Sequence, residues 1–369
     1  MKKILFIHPD LKGGGAEKVL VDLLNNLSKE KYEITLFTIF EEGVNRKNLD
    51  PAVKQYSSFK KVFRGYSVLQ KIISPRFLAQ WIAKDKYDIV VAYLEHVPTR
   101  IASAFPEETK KIAWLHTNAD VKLLSQTFRS YAETEKAYQA FDAIVCVSDL
   151  AKKSLLKAIP TLDETKVQVI ENALDVNAIL EKAEEKPKIE FTKEVLNLVT
   201  IGRLVEVKGY DRLLRIVLQL KKKGFRFKLH ILGEGELGGK FQKFITENEL
   251  KENVVLLGFQ ENPYAILQQA DLYICSSYNE GYNTAIIEAL LLEVPVITTD
   301  CSGMTAILDD SRFGIITKNN EEALLQAVEK VLQSKEELQY WKSKAIERKT
   351  YFIKQNSVQK VENLFDSLA

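Results

Sequence analysis

The sequence predicts an α/β protein built from two doubly wound parallel-sheet domains. Short, continuous apolar runs alternate with helical patterns along almost the whole chain, which is typical of parallel strands covered by helices on both faces. The alternation pauses and then restarts, and 369 residues are long for a single core. We therefore predict a first domain over 1–178, a linker over 179–194 that contains Pro187, and a second domain over 195–349.

The first domain is predicted from a series of apolar strands. KKILFIH leads through a glycine loop into the helical pattern AEKVLVDLLNNLSK, and EITLFTI follows. After a basic segment at 54–86 come DIVVAY, KIAWLH, AIVCVS and VQVIEN, most of them separated by helical stretches. Because these runs do not alternate with polar residues, we expect them to be buried on both faces.

The second domain repeats this pattern with the strand-like runs LNLVTIGRL, FKLHILGEG, VVLLGF, LYICSS, PVITTD and FGIIT. Helical patterns follow over about 320–334 and 336–368. In open parallel sheets, ligands bind at the carboxyl ends of the strands. We therefore expect the two domains to face each other across a cleft that holds the chemistry.

The composition is that of an ordinary globular protein, with 46% hydrophobic and 28% charged residues. The three cysteines lie far apart, which favours reduced core residues of a cytoplasmic protein over a disulfide set. The apolar run near Met1 is too short for a signal peptide, and no later run approaches the roughly 18 apolar residues of a membrane span. We expect a cytoplasmic protein, either soluble or peripheral at the inner face of the cell membrane.

The segment 54–86, which we call the basic segment, carries eight Lys and Arg residues and one acid, Asp85. Aromatic and aliphatic residues are interleaved with these charges. One interpretation is a solvated helix and loop whose apolar side packs in the core. The alternative is a surface that contacts anionic lipid head groups or an anionic acceptor. Nucleic acid is not expected as a partner, since the whole chain has a net charge of only +2.

Glu280 and Glu288 lie eight residues apart in NEGYNTAIIEALLLEVPVI, which follows the strand run LYICSS. With about 3.6 residues per turn, Glu288 falls on a helix near the flank where Glu280 enters. Gly281, Asn283 and Thr284 would leave backbone N–H groups at the helix start, where a phosphate or sugar oxygen can be held. The pattern favours a sugar joined to a diphosphate.

Gly202, Arg203 and Lys208 follow the first strand of the second domain in TIGRLVEVKGYDRLL. Two cations at a strand end can neutralise a diphosphate leaving group without a metal, and arginine can do so with two parallel hydrogen bonds. An isolated pair with this spacing is more often ordinary surface charge. The position between a strand end and a helix start favours the functional interpretation.

Two features of the first domain are further candidates. Gly13, Gly14 and Gly15 could let a bound group approach a helix N-terminus or could form a simple tight turn. A nicotinamide-dinucleotide fingerprint is disfavoured, because Lys18 occupies its third glycine position. His116 ends the strand KIAWLH and is expected to face the cleft. No spacing typical of metal ligands occurs, so we expect neither a metal nor a cofactor.

These segments together resemble glycosyltransferase family 4, the retaining group with the GT-B architecture of two facing Rossmann-like domains. The resemblance is carried by segments in the family's order along nearly the whole chain: GGGAEKVL, WLHTNAD, VCVSDLAKKSLL, VIENALDVNAI, IGRLVEVKGYDRLL, LHILGEGELGGKFQ, LLGFQENPYAILQQADLYICSS and NEGYNTAIIEALLLEVPVITTD. It implies an acceptor-binding first domain, a donor-binding second domain, and a C-terminal helix at about 350–369 that crosses back to the first domain.

The resemblance also implies roles for individual residues. Arg203 and Lys208 would bind the diphosphate, and Glu288 would hold the ribose hydroxyls. Glu280 and His116 would lie at the transferred sugar. The amides around Tyr282 to Ala285 would contact sugar and phosphates, and Gly14 and Gly15 would lie near the diphosphate or the acceptor. The turn Gly-Tyr-Asn-Thr after Glu280 departs from the commoner family pattern, so no relative's sugar preference is carried over.

The expected function is that of a retaining, metal-independent hexosyltransferase that uses a nucleoside-diphosphate sugar, with UDP favoured over GDP. The acceptor would be a hydroxyl of a glycan or lipid-linked molecule in bacterial capsule, exopolysaccharide or cell-wall glycan synthesis. One alternative is a GT-B sugar-nucleotide epimerase, which would need more acids and histidines for proton transfer. Another is a catalytically silent GT-B subunit, although such proteins can lose the cations or the spaced glutamates that this chain keeps.

Overall fold

The computed structural model describes residues 1–12, 15–280, 282–354 and 357–368. The chain forms two compact units. The first comprises Met1–Leu174 with Asn356–Ala369, and the second comprises Asp175–Gln355.

The first unit contains a seven-stranded sheet in which every pairing is parallel. Its strands, in chain order, are β1 Lys2–His8, β2 Tyr32–Phe40, β3 Lys54–Phe59, β4 Ile89–Ala92, β5 Lys110–Leu115, β6 Ala143–Cys146 and β7 Val167–Val169. Their order across the sheet is β3-β2-β1-β4-β5-β6-β7. The six apolar runs of the sequence are therefore confirmed as strands, and β4 and β6 are buried at every residue.

Strand β3 lies in the basic segment, where the sequence suggested only a helix and a loop. It pairs with β2 alone and forms the edge of the sheet. Its residues are exposed or half-buried, because an edge strand has one open side and need not be apolar. This is why the rule of continuous apolar runs does not detect it.

Helices cover the first sheet: α1 Gly15–Asn26, α2 Tyr66–Ile72, α3 Pro75–Ile82, α4 Val97–Ala102, α5 Val121–Leu124, α6 Tyr131–Gln139 and α7 Asp149–Ala158. Side-chain caps fix several of their starts. The Ser148 hydroxyl accepts a hydrogen bond from the Ala151 amide at α7, and Ser130 does the same for the Glu133 amide at α6. These two caps define where the loops that precede α6 and α7 end.

The second unit contains a six-stranded parallel sheet, as the sequence predicts. Its strands are β8 Leu196–Ile201, β9 Phe227–Leu232, β10 Val254–Gly258, β11 Leu272–Cys275, β12 Val296–Thr299 and β13 Ile315–Thr317, in the spatial order β10-β9-β8-β11-β12-β13. Its helices are α8 Val176–Ala183, α9 Tyr210–Lys222, α10 Gly238–Glu247, α11 Tyr264–Leu267, α12 Thr284–Leu291, α13 Met304–Leu308, α14 Glu321–Gln333 and α15 Lys335–Lys354.

Helix α12 forms the centre of the second unit. All eight of its residues are buried, and it contacts α8, α15, β11 and β12. A helix that is buried on all sides belongs in a core rather than on a surface. Helix α8 includes the first residues of the segment 179–194, for which the sequence predicts a linker, and it packs on α11 and α12.

The last helix, α16 Ser357–Ser367, packs on the first unit. The Phe365 ring is fully buried and lies nearly perpendicular to the rings of Phe6 and Tyr32. The Tyr32 hydroxyl donates to Asp366 at 3.1 Å, and Lys2 forms an ion pair with the same carboxylate. The C-terminal helix thus returns to the first unit as predicted, but it begins at Ser357, and the predicted residues 350–354 belong to α15 of the second unit.

In the described part of the chain, none of the helices combines the length and the apolar character needed to cross a membrane.

Candidate functional site

The candidate donor site lies at the carboxyl ends of β8 and β11, which are neighbours in the second sheet. The chain continues from β8 toward one edge of the sheet and from β11 toward the other. Such a switch point is where open α/β sheets bind ligands. Lys208 follows β8 and Glu280 follows β11, so the topology places the loops that carry them side by side.

Lys208 and Glu280 form an ion pair. The Lys208 Nζ lies 2.7 Å from Glu280 Oε1 and 2.9 Å from Oε2. The two side chains are 22% and 10% exposed. Ser277 and Asn283 also donate to Oε1, the latter at 3.1 Å. Three donors therefore fix the carboxylate in one orientation while the ammonium group remains accessible to solvent.

Close packing between the two loops sets the position of Lys208. A short 3-10 helix, Glu206–Lys208, ends at Gly209, whose φ of 65° is left-handed. A Cβ on Gly209 would lie 2.0 Å from the carbonyl oxygen of Ser276. The Ser276 hydroxyl in turn donates to the Lys208 carbonyl at 3.0 Å. Only glycine allows the backbone to approach this closely, so the Lys208 loop is held directly against the segment that follows β11.

Asn283 caps helix α12. Its side-chain oxygen accepts a hydrogen bond from the Ala285 amide at 3.1 Å, and its nitrogen donates to Glu280. The sequence suggested that the amides from Tyr282 to Ala285 face a ligand. In the structure the Ala285 amide instead donates to the Asn283 side chain, which stabilises both the helix start and Glu280. Thr284 is the first residue of α12 and is buried.

Glu288 lies on the second turn of α12 and is buried. One of its carboxylate oxygens accepts a hydrogen bond from the Tyr264 hydroxyl at 3.3 Å. Burial raises the pKa of the Tyr273 phenol well above its ordinary value, with further contributions that include the charges of Glu280 and Glu288.

The remaining donor-site candidates surround this pair. Arg203 is exposed in the loop after β8, and within the described residues its side chain has no recorded hydrogen bond or ion pair. Gly202 packs against helix α9, since a Cβ there would lie 2.9 Å from the Tyr210 hydroxyl. Tyr282 is buried. Gly281 lies outside the described residues.

In the first unit, His116 lies immediately after β5 and is buried. Its backbone amide donates to Glu95 Oε1 at 2.7 Å, and the amide and hydroxyl of Thr117 donate to the same oxygen. Glu95 therefore fixes the backbone that carries His116. Gly15 is exposed at the start of α1, and Gly14 lies outside the described residues.

His116 belongs to a buried polar cluster at the carboxyl ends of β1, β4 and β5. The Tyr93 ring lies 4.8 Å from the His116 ring and 6.4 Å from the His8 ring, measured between centroids. The Nε2 atoms of both histidines and the Tyr93 hydroxyl are buried without a hydrogen-bond partner among the described residues. Because such groups are costly to leave unsatisfied, the cluster is suited to a polyhydroxylated ligand.

Both histidines of this cluster are neutral at physiological pH. Burial, together with a smaller contribution from the charge of the neighbouring His8, lowers the pKa of His116 to about 3. Burial likewise lowers the pKa of His8 to about 4, against an opposing hydrogen bond to the Asp10 carbonyl. A neutral imidazole can donate from one nitrogen and accept at the other, so each ring can bind a sugar hydroxyl.

Sequence reasoning missed Arg212, which is buried in α9. Its guanidinium donates to the carbonyl oxygens of Ser276 and Ser277, the former at 2.7 Å. Burial lowers its pKa. An arginine on the apolar side of a helix was the available signal. It was overlooked, as was Glu95, because both act on backbone groups of distant segments.

The described residues contain no group of three or more His, Cys, Asp or Glu side chains that could hold a metal ion.

Two family models match consecutive parts of the chain. The model described as Glycosyltransferase Family 4 matches residues 13–178, and the model described as Glycosyl transferases group 1 matches residues 181–348. The first match contains the histidine cluster apart from His8, and the second contains the Lys208–Glu280 pair. The chain belongs to glycosyltransferase family 4.

Two relatives illustrate the similarity of this glycosyltransferase to known proteins. An uncharacterized glycosyltransferase of Methanocaldococcus jannaschii is 26% identical, with coverage of 81% of this chain and 68% of that protein. A Campylobacter jejuni enzyme is also 26% identical over 96% of both chains. Its name is N-acetylgalactosamine-N,N'-diacetylbacillosaminyl-diphospho-undecaprenol 4-alpha-N-acetylgalactosaminyltransferase.

Solved structures agree with this glycosyltransferase in fold. Anabaena HepE in complex with UDP aligns over 100% of both chains with a TM-score of 0.77 at 18% identity. Sucrose-phosphate synthase from Thermosynechococcus elongatus aligns over 100% of this chain and 99% of its own, with a TM-score of 0.79 at 14% identity. The fold is of the GT-B class, with two Rossmann-like parallel-sheet domains, and the predictions of family, fold class and glycosyltransferase activity are confirmed.

Proposed function

We propose that the protein transfers a hexosyl group from a nucleoside-diphosphate sugar, with UDP as the nucleotide, to a hydroxyl of a lipid-linked glycan acceptor. The transfer retains the anomeric configuration and needs no metal. The observation that carries the proposal is the Lys208–Glu280 pair at the switch point of the second sheet.

The charges of the donor site match those of a sugar diphosphate. Lys208 and the exposed Arg203 supply two positive charges in one loop, where a leaving diphosphate needs them. A single preorganised donor of this kind stabilises a transition state by about 3 kcal/mol. Glu288, further along α12, is a buried acceptor suited to paired ribose hydroxyls. Glu280 would accept a hydroxyl of the transferred sugar through its less occupied oxygen.

The contacts of Glu280 favour a front-face path over a covalent intermediate. Its Oε1 atom already accepts from Lys208, Ser277 and Asn283, and a carboxylate stabilised by three donors is a weak nucleophile. In the proposed step, the bond between the anomeric carbon and the diphosphate oxygen breaks as the acceptor oxygen attacks the same face. The acceptor proton passes to the departing diphosphate oxygen, whose negative charge the two cations stabilise.

The histidine cluster of the first unit supports a polyhydroxylated partner there. The neutral rings of His8 and His116, together with the Tyr93 hydroxyl, offer donors and acceptors in a buried setting. Sugar hydroxyls are the groups that satisfy such a mixed set. We assign His116 to the reacting sugar and His8 with Tyr93 to hydroxyls beside it.

Relatives support the finer parts of the proposal. The name of the Campylobacter jejuni enzyme specifies a diphospho-undecaprenol acceptor, and a Staphylococcus aureus relative is named as a capsular polysaccharide biosynthesis glycosyltransferase. The HepE structures contain UDP or UDP-glucose. We accordingly place the protein in the cytoplasm, with its basic segment in contact with the inner face of the cell membrane, in the synthesis of bacterial cell-surface glycan.

Calorimetry with UDP and GDP tests the donor assignment. We expect UDP to bind, to bind more tightly than GDP, and to do so equally well with EDTA present. A panel of UDP-sugars, with NMR of the anomeric proton of the product, then identifies the sugar and the stereochemistry. The Glu280→Gln and Lys208→Met variants should bind UDP-sugar but transfer slowly.

Three outcomes would refute parts of the proposal. Failure to bind either nucleotide would indicate a silent subunit. Free sugar or an epimerised nucleotide sugar as the sole product would indicate the epimerase alternative. An inverted anomeric configuration would exclude the front-face path.

A further inference from the structure

The first unit contains an apolar cavity of about 240 Å³ beneath α2 and α3. Ten of its thirteen lining residues are Phe, Trp, Leu, Ile or Val. Its inner wall includes Phe37, Ile39 and Ile101, which are buried. Phe77 and Trp81, which are 60% and 53% exposed, line its outer part. The cavity therefore runs from the surface of the basic segment into the core.

The surface around this cavity is unusually apolar. Eighteen large hydrophobic side chains are exposed in the described chain, and six of them lie within residues 62–81. Exposed apolar residues that cluster in this way mark a binding surface, whereas scattered ones do not. The position of the cluster over an apolar cavity points to a hydrocarbon ligand.

Cations accompany the apolar surface. Lys60, Lys71 and Arg76 each adjoin a lining residue in the sequence, and all three are exposed. None of them has a recorded ion pair within the part of the chain that the structure describes. The single acid of the segment, Asp85, is paired with Lys3 at 2.5 Å. The uncompensated positive charge complements a phosphate attached to the hydrocarbon.

The size of the cavity favours one chain. An apolar protein cavity of about 150 Å³ binds a six-carbon ring, so 240 Å³ accommodates on the order of ten carbons of a single chain. A two-chain phospholipid would leave its second chain outside. We propose that the cavity holds the first part of the single hydrocarbon chain of the lipid-linked acceptor, whose phosphate contacts the basic rim. This inference rests on the proposed function, because it specifies the acceptor.

A series of n-alkyl phosphates, from butyl to tetradecyl and below their micelle-forming concentrations, tests the proposal by calorimetry on the full chain. We expect the dissociation constant to fall by up to about fourfold per methylene. The gain should stop at about ten carbons, when the cavity is full. Affinity that does not depend on chain length, or that rises steadily to tetradecyl, would overturn the proposal.

Two pairs of variants distinguish the contribution of the ligand's hydrocarbon chain to binding from the contribution of its phosphate. Leu78→Trp fills the cavity and should weaken the binding of decyl phosphate at least tenfold without changing the binding of butyl phosphate. Leu78→Met conserves the side-chain volume and should bind both compounds like the wild type. The double variant Lys60→Glu, Arg76→Glu should weaken the binding of every alkyl phosphate by the same factor. The control double variant Lys136→Glu, Lys153→Glu, on α6 and α7, makes the same change in charge and should weaken this binding far less. An unaffected Leu78→Trp variant that is folded by circular dichroism would refute the assignment.

Two further measurements separate this inference from its rivals. The proposal is wrong, and the occupant is a membrane lipid, if the wild type does not bind decyl phosphate and the Leu78→Trp variant no longer binds phosphatidylglycerol vesicles. UDP binding, measured on the same samples, tests the proposed function separately from the cavity assignment. Retained UDP binding without alkyl phosphate binding refutes the cavity assignment alone, whereas loss of both refutes the function on which it rests.

Discussion

The Lys208→Met substitution removes an ammonium group and keeps most of the apolar side chain. In the wild type this group contacts both oxygens of Glu280, at 2.7 and 2.9 Å. Removing one partner of a fully buried pair costs about 3–5 kcal/mol, whereas an exposed pair contributes about 0–1 kcal/mol. Because Lys208 is 22% exposed and Ser277 and Asn283 still bind Glu280, we expect an intermediate loss of about 2 kcal/mol.

The effect on catalysis should be larger than the effect on stability. A loss of about 2 kcal/mol lowers the melting temperature of a unit of this size by about 4–8 °C. The loss of one preorganised cation at the diphosphate should lower kcat by about a hundredfold to a thousandfold. Calorimetric melting and initial rates with the identified UDP-sugar measure the two effects on the same preparation.

Two further variants make the test specific. Lys208→Met combined with Glu280→Gln should recover part of the stability, since a neutral amide does not require the ammonium group, but it should recover no activity. Lys243→Met removes a highly exposed lysine that pairs with Glu247 at 3.7 Å in the same unit, and it should change neither quantity. A folded Lys208→Met variant that keeps more than a tenth of wild-type kcat would refute the role assigned to this lysine.

Three other predictions follow from the same structure. Arg203→Ala should lower turnover by about a hundredfold or more, and a loss below threefold in the folded variant would contradict its assignment. Gly209→Ala should destabilise the second unit by about 3 kcal/mol or more in urea denaturation, because it adds a steric overlap to a left-handed backbone. Gly224→Ala is the matched control, since its backbone is also left-handed but nothing lies within 4 Å of the added atom. Because burial lowers the pKa of His8 to about 4 and of His116 to about 3, the unfolded chain binds more protons below about pH 6.5. Stability should therefore be constant above neutrality and fall on acidification, by about 2 kcal/mol per histidine at pH 5, and equal urea midpoints at pH 5 and 7.5 would contradict this.

The fold was predictable wherever burial leaves a strong pattern. Interior parallel strands are covered on both faces, so their sequences read as continuous apolar runs, and every such run became a strand. The edge strand β3 carries no such pattern and was missed. The long helical pattern over 336–368 divides into α15 and α16, because helical periodicity alone does not show which core each half packs on.

Sequence reasoning proposed members of the candidate site but could not specify their contacts. Glu280, Glu288 and Lys208 were identified from residue type and position relative to a strand end. The ion pair of Lys208 with Glu280 joins residues 72 positions apart, and it depends on β8 lying next to β11, which a single sequence does not specify. For the same reason, the hydrogen bond from Arg212 to the Ser276 carbonyl oxygen could be recognised only from the structure.

Because α16 packs on β1 and β2, the first unit is discontinuous along the chain. During synthesis on the ribosome, β1 and β2 emerge before the whole second unit has been translated, and α16 emerges after it. The rings of Phe6 and Tyr32 therefore lack their contact with Phe365 until α16 has been synthesised. Until then, the surface of the nascent first unit that α16 covers is an exposed aromatic surface. Chaperones that bind exposed apolar segments would bind the nascent protein at that stage. Lowering the amount of such chaperones should therefore reduce the yield of folded protein more than it does for a protein whose domains are each contiguous in sequence.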